Sequence, residues 1–261
     1  LVMDPNTVSA LASLNTGFYD RFAESFSRTR QAPWPGWARV LETWRRLRST
    51  SPAGEAASIL DLGCGNGRFG LWLGEELEQP HDYTGVDSSA RLVDIVRSTL
   101  PSRAGVRGEL VVADLVSDDL DEHLGDRSFD LLTLFGLLHH VPAFERRRAL
   151  LEDLQKRLAP DGLMAMTFWQ FADHERFRRR FVDWEKYNRE ASEPVDPTDL
   201  EAEDYLLRWG ETDGCRYCHF ADPSEAARLV GALDLEIVET FRSDGDGGDL
   251  NLYYLLRKNS T

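Results

Sequence analysis

Cysteine is scarce in this chain. Cys64, Cys215 and Cys218 are the only three in 261 residues, too few for a disulfide framework. Long hydrophobic runs are missing: none approaches the roughly 20 apolar residues of a membrane span, and residues 1–10 lack the basic start and apolar core of a signal peptide. The chain is therefore expected in the cytoplasm, with no membrane partner. Positive charge is in deficit, with 30 Lys and Arg against 45 Asp and Glu and a net charge of −15. That balance argues against a large nucleic-acid footprint, which draws most of its affinity from phosphate contacts, although local patches can override net charge. Repeats and low-complexity tracts are absent. What remains, 42% hydrophobic and 10% aromatic, is a globular composition, long enough for one α/β domain over 1–261.

A glycine is also missing where one would be diagnostic. The stretch Ser58-Ile-Leu-Asp-Leu-Gly-Cys-Gly-Asn-Gly-Arg-Phe-Gly70 reads as a buried strand, a glycine turn and a helix start. Glycine lets the backbone turn tightly and lets a ligand approach without meeting a Cβ, and a helix N-terminus offers free N–H groups. A dinucleotide fingerprint requires Gly-x-Gly-x-x-Gly, yet Arg68 stands at its third glycine. The spacing is instead Asp-x-Gly-x-Gly-x-Gly from Asp61 to Gly67.

Around this corner the chain alternates. Leu14, Phe18, Phe22 and Phe26 recur every four residues, predicting a helix over 13–27 capped by Ser13 or Asn15. Pro33 and Pro35 break it, and Trp37, Val40, Leu41, Trp44 and Leu47 stripe a second helix. A linker spans 49–57. Strands are predicted over 83–87, 109–114, 129–135 and 163–168, with helices over 88–100 and 145–158 between them. Alternation over 58–168 implies a doubly wound parallel sheet, with ligands at the strands' carboxyl ends. Asp87 lies 22 residues after Gly65, where a carboxylate grips ribose hydroxyls. Asp114 and the pair His139 and His140 end the third and fourth strands. Residues 170–214, rich in aromatics and charge, read as a helical insertion, either a substrate lid or a hairpin covering the sheet. A helix over 224–233 and strands over 235–241 and 252–257, joined by a turn over 242–249, complete a seven-stranded sheet.

Cys215-Arg-Tyr-Cys-His219 matches the c-type haem attachment signature. Haem attachment belongs to exported proteins, and zinc would lack a fourth ligand, so the match is read as coincidence and no metal is expected.

Together, Leu60-Asp-Leu-Gly-Cys-Gly-Asn-Gly-Arg68, Asp87, Asp114 and Leu138-His-His-Val141 resemble the class I S-adenosylmethionine (SAM) methyltransferases, with their Rossmann-like α/β fold. Three flanking segments are more specific: Phe18-Tyr-Asp-Arg-Phe-Ala-Glu-Ser-Phe-Ser-Arg-Thr-Arg-Gln-Ala-Pro-Trp-Pro35, Arg216-Tyr-Cys-His219 and Gly248-Asp-Leu-Asn-Leu-Tyr-Tyr-Leu-Leu-Arg-Lys258. They are similar to the wobble-uridine tRNA carboxymethyl methyltransferases. Cys218 replaces a Tyr of that family and Leu252 a Trp.

The resemblance implies SAM as cofactor, held by Asp61, Gly63, Cys64, Gly65, Asn66 and Gly67 in the turn, Asp87 and Ser88 after the second strand, Ala113, Asp114 and Leu115 after the third, and Phe135 and Gly136 after the fourth. Asp61 would hold the glycine turn or the methionine amine, and Asp114 the adenine amine. Tyr19 and Arg30 lie in a segment that folds over the cofactor, and Arg30 would pair with a carboxylate of methionine or substrate. His139 or His140 could serve as general base for a hydroxyl or amine acceptor, whereas a carboxylate acceptor needs none. Arg216, His219 and Asn251 are the further acceptor contacts. The acceptor is tRNA or a small molecule, or the chain is a SAM-binding module without catalysis. Relatives use a small zinc-containing activator subunit on an edge strand, which corresponds to 109–114. The arginines at 176 and 178–180 and at 39, 45, 46 and 48 are read as solubilising charge.

Overall fold

Short, nearly uninterrupted apolar runs form the centre of the sheet, as parallel strands covered on both faces require. The computed structural model describes residues 3–48, 56–100 and 106–258. Its strands are β1 (Ala57–Leu62), β2 (His81–Asp87), β3 (Val106–Val112), β4 (Phe129–Leu134), β5 (Leu158–Trp169), β6 (Phe181–Val182), β7 (Asp204–Arg208), β8 (Cys215–His219), β9 (Leu235–Ser243) and β10 (Asn251–Lys258). Its helices are α1 (Pro5–Thr29), α2 (Pro35–Arg48), α3 (Arg68–Glu76), α4 (Ala90–Thr99), α5 (Leu120–Leu124), α6 (Phe144–Lys156), α7 (Glu175–Arg178), α8 (Trp184–Asn188) and α9 (Pro223–Gly231). None is long and apolar enough to cross a membrane among the described residues. Residues 49–55 of the expected linker lie outside the described residues.

The main sheet runs β3-β2-β1-β4-β5-β10-β9. The first five strands are parallel, and β10 and β9 are antiparallel to their neighbours. This is the seven-stranded, mostly parallel α/β fold expected. Strand order reverses at β1, between β2 and β4, which opens a crevice at the carboxyl ends. Successive β1 residues serve opposite faces. Ile59 packs with Trp37, Val40, Phe69, Leu73 and Tyr83, whereas Leu60 and Leu62 pack with Leu151 and Leu154 of α6 and Leu229 of α9. Each such buried side chain contributes roughly 2 kcal/mol relative to exposure.

Two expectations change at the edges of this core. The first helix starts at Pro5, with Asp4 as its cap accepting from Asn6 N–H. Pro at the first position and Asp before it are strong start signals. Ser13 and Asn15 are therefore mid-helix, and Asn15 is buried. The insertion is also not chiefly helical. Pro194, Pro197, Gly210 and Gly214 interrupt it, leaving the one-turn helices α7 and α8. Strands β6, β7 and β8 form an antiparallel sheet instead. Cys215 and Cys218, three apart on β8, face opposite sides and cannot grip one ligand together.

α1 lies across the crevice. Ser89 Oγ donates to Asp20 Oδ1 at 2.6 Å, and Asn66 Nδ2 to Arg30 O at 2.9 Å. The α2 start is tied to the last hairpin by Asp244, whose Oδ1 accepts from Gly36 N–H at 2.9 Å and whose Oδ2 accepts from Asn251 and Tyr253. Gly36 is required there, because a Cβ would stand 2.6 Å from the Tyr253 hydroxyl.

Candidate active site

The glycine turn is held by the β2 backbone and the Asp87 carboxylate, not by Asp61. Val86 O accepts from Gly63 N–H at 2.8 Å and Cys64 N–H at 3.0 Å, and Asp87 Oδ2 from Gly65 N–H at 2.8 Å. Gly63, Gly65 and Gly67 all have positive φ, and a Cβ on Gly67 would meet Val96 at 2.6 Å. The turn therefore needs glycine for both its dihedrals and its packing.

The turn opens onto a cavity of about 490 Å³ at the switch point, within the range of small-molecule sites. It gathers Tyr19, Arg30, Asp61, Gly63, Cys64, Gly65, Asn66, Asp87, Ser88, Asp114, Leu115, Phe135, Gly136, His139, His140, Arg216 and Asn251. Gly67 sits behind it as the α3 cap. Ala113 is buried and donates its N–H to Asp87 O.

Besides Asp244, three carboxylates at the ends of β1, β2 and β3 line the cavity. Asp61 accepts from the Tyr83 hydroxyl at 2.6 Å and Thr133 at 2.8 Å, and burial pushes its carboxyl up to about 6. Asp87 is also raised by burial, against the pull of the Ser89 and Gly65 N–H groups. Asp114 uses Oδ1 for Val116 N–H at 2.9 Å.

Across from them stand the histidines. His140 Nδ1 lies 2.9 Å from Tyr217 O, which can only accept, so Nδ1 carries the hydrogen and Nε2 accepts from Tyr19 OH at 2.7 Å. Asn15, the residue that reads as a cap, is built into this wall. Its Oδ1 accepts from Tyr217 N–H at 2.9 Å, and its Nδ2 lies 3.2 Å from His140 Nδ1. Burial lowers His140 to about 3, assisted by Arg216, and drives His139 well below the usual range. Both rings are neutral at pH 7, so the ring expected as a general base is a weak one.

Arg216 is buried, and its Nε and Nη1 have no hydrogen-bond partner among the described residues. Its guanidinium lies 5.2 to 5.5 Å from the rings of Trp209, Phe18 and Trp169. Arg30 approaches the Trp209 ring to 5.3 Å, so that indole serves two cations. Burial lowers Arg30, and Arg216 and then Arg180 add to the effect. Arg176, Phe177 and Arg180 also line the cavity. Aromatic composition marked the insertion but could not say which ring would meet which arginine.

His219 lies elsewhere. It is buried behind β8, with Nδ1 2.8 Å from Asp204 Oδ1 and Nε2 3.0 Å from Glu225 Oε1. Arg147, fully buried, binds Glu201 at 2.6 Å and Glu225 at 2.9 Å in the same cluster. Burial opposes the His219 charge, but the hydrogen bonds to Asp204 and Glu225 leave it raised. The ligand atoms of Glu201, Asp204 and His219 are close enough for a metal, but the Arg147 guanidinium already supplies a cation there.

A doubly wound sheet with its cavity at the switch point, a glycine cradle and carboxylates along it define a class I SAM-dependent methyltransferase. The residues present fit that cofactor: the bare turn admits a ligand closely, and the carboxylates match hydroxyl, amine and ammonium donors. The chain belongs to the family described as "Methyltransferase domain", whose model matches residues 37–240. It is similar to the tRNA (carboxymethyluridine(34)-5-O)-methyltransferase of Arabidopsis thaliana, 34% identical over 58% of this chain and 31% of that protein. The Mus musculus enzyme of the same name, ALKBH8, is 32% identical over 58% of this chain and 19% of that one. The chain thus spans a third or less of these relatives. Among solved structures, a SAM-dependent methyltransferase from Methanosarcina mazei has a TM-score of 0.61 at 20% identity, covering 85% of this chain and 98% of that one. SAM-bound CalS10 from Micromonospora echinaspora has a TM-score of 0.53 at 21% identity, over 90% and 96%.

Proposed function

We propose that the protein methylates a carboxylate on a modified wobble uridine of tRNA. The observation that carries this reading is Arg216. A buried guanidinium with open N–H groups is expensive until an anion meets it, and a carboxylate matches its planar fork. The relatives named for carboxymethyluridine support the same acceptor.

In this reading Asp87 takes the ribose hydroxyls and Asp114 the adenine amine, while the N-terminal end of α3 and its glycine turn receive the methionine portion. Asp61 faces the methionine ammonium, and Arg30 a methionine or acceptor carboxylate. The cofactor supplies an electrophilic methyl on a sulfonium. The chain orients the acceptor and excludes water, with α1 and Trp209 as the cover. An anionic acceptor needs no deprotonation, which agrees with neutral His139 and His140. Arg216 orients one carboxylate oxygen for in-line attack. The β3 edge, where Val112 is 40% exposed, would take a small activator subunit.

A small metabolite is the second acceptor, favoured by the net charge of −15. Transfer of labelled methyl to total tRNA and to a metabolite extract separates the two, with Asp87→Ala as control. The tRNA reading requires label in tRNA that falls steeply with salt. Label only in metabolites, insensitive to salt, would overturn it.

A further inference from the structure

Asn251 opens β10 directly opposite Trp169 of β5, so the two side chains leave the sheet on one face. Both line the cavity. The orientation of the Asn251 amide is fixed. Its Nδ2 donates to Asp244 Oδ2 at 2.8 Å, and that carboxylate cannot donate in return. Oδ1 is therefore turned away from Asp244. It is buried, in a residue 2% exposed, and has no partner among the described residues. Trp169 also carries the Arg216 guanidinium 5.5 Å from its ring, so an acceptor and donors without partners among the described residues belong to the wall of one cavity. Such a pair is costly in the free protein. It complements a molecule that bears both an N–H and an anion.

We propose that Asn251 Oδ1 selects the methyl acceptor by a ring N–H. Resting on the carboxylate reading above, the acceptor presents its carboxylate to Arg216 and an imide N–H to Asn251. A uracil-type ring satisfies both groups. A cytosine-type ring sets its own lone pair against Oδ1 and is refused. In the transfer the new bond joins the carboxylate oxygen to the methyl carbon as the carbon–sulfur bond breaks, and the electron pair stays on sulfur. The ring N–H keeps its proton throughout. Asn251 thus sets specificity, while the chemistry proceeds at the carboxylate.

The test uses RNA anticodon hairpins carrying 5-carboxymethyluridine, its N3-methyl form or 5-carboxymethylcytidine, with labelled SAM and the full chain. The expected result is a kcat/KM at least about tenfold lower for both altered rings. In Asn251→Ala the gap between uridine and cytidine forms closes to within about twofold, because the uridine rate falls. Equal rates for all three rings in the unaltered protein overturn the Asn251 assignment while leaving the carboxylate reading standing. No label in any hairpin, in reactions supplemented with a cell extract that can supply an activator subunit, overturns the carboxylate reading and this assignment with it. If circular dichroism finds Asn251→Ala unfolded, the three rings compared in the unaltered protein decide alone.

Discussion

The Tyr19 hydroxyl donates to His140 Nε2 at 2.7 Å, joining the helix that covers the cavity to the turn after β4. The same ring anchors through Nδ1 to the backbone of β8. His140 is thereby a pin between cover, sheet and insertion. Tyr19→Phe leaves Nε2 unsatisfied at a cost of about 1–2 kcal/mol in the covered state. SAM affinity by calorimetry is expected to fall about tenfold. An unchanged affinity would show that α1 does not close over the cofactor.

Arg216→Met is expected to move activity and stability in opposite directions. Losing the carboxylate partner lowers kcat/KM for the acceptor by about 10²-fold or more, with SAM affinity little changed. Removing a buried cation whose Nε and Nη1 have no partner among the described residues stabilises the ligand-free fold by about 1 kcal/mol or more, raising its thermal midpoint by ~2–4 °C. A fall in both would mean that the guanidinium is a structural strut.

SAM binding should depend on pH through Asp61. Its carboxyl is pushed up to about 6, so below that value the group is neutral and offers a methionine ammonium little. Affinity is expected to strengthen as pH rises from 5 and to level off above about 7. Asp61→Asn should flatten the curve. For the ligand-free fold the sign is reversed: ionising this buried acid costs stability as pH rises from the unfolded value near 3.9 to about 6.

His219 acts in a different window. Its folded pKa is raised, so its contribution is fully present below the unfolded value of about 6.5 and is lost as pH rises through the folded one. His139 and His140 are lowered, so their effects fall below pH 6.5. The thermal midpoint should therefore drop as pH rises above about 6.5, and His219→Gln should remove most of that slope. A slope that survives in His219→Gln would place the titrating group elsewhere.

The parallel core was legible because both signals in it are local. Glycines must occupy the positive-φ turn, and uninterrupted apolar runs can only be covered strands. Asp87 could be found by counting from Gly65. What could not be read depended on contacts distant in sequence. Asn15 has the residue type of a cap, and only its neighbours 125 and 202 positions away give its amide a use in the wall. Arg216-Tyr-Cys-His219 reads as one block, yet a strand sends Arg216 into the cavity while His219 joins the Arg147 cluster. Alternation along β8 separates neighbours that a motif groups together. The insertion misled for a related reason, since its charged and aromatic residues carry no strong period and tertiary pairing decided their conformation.

Asp244 ties the chain's first quarter to its last strand through Gly36, Asn251 and Tyr253. Trp34, Pro35, Asp244 and Asn251 all border the cavity. During synthesis, β10 must leave the ribosome before this wall can be assembled. Truncations that remove β10 should therefore abolish cofactor capture while the glycine turn itself remains intact.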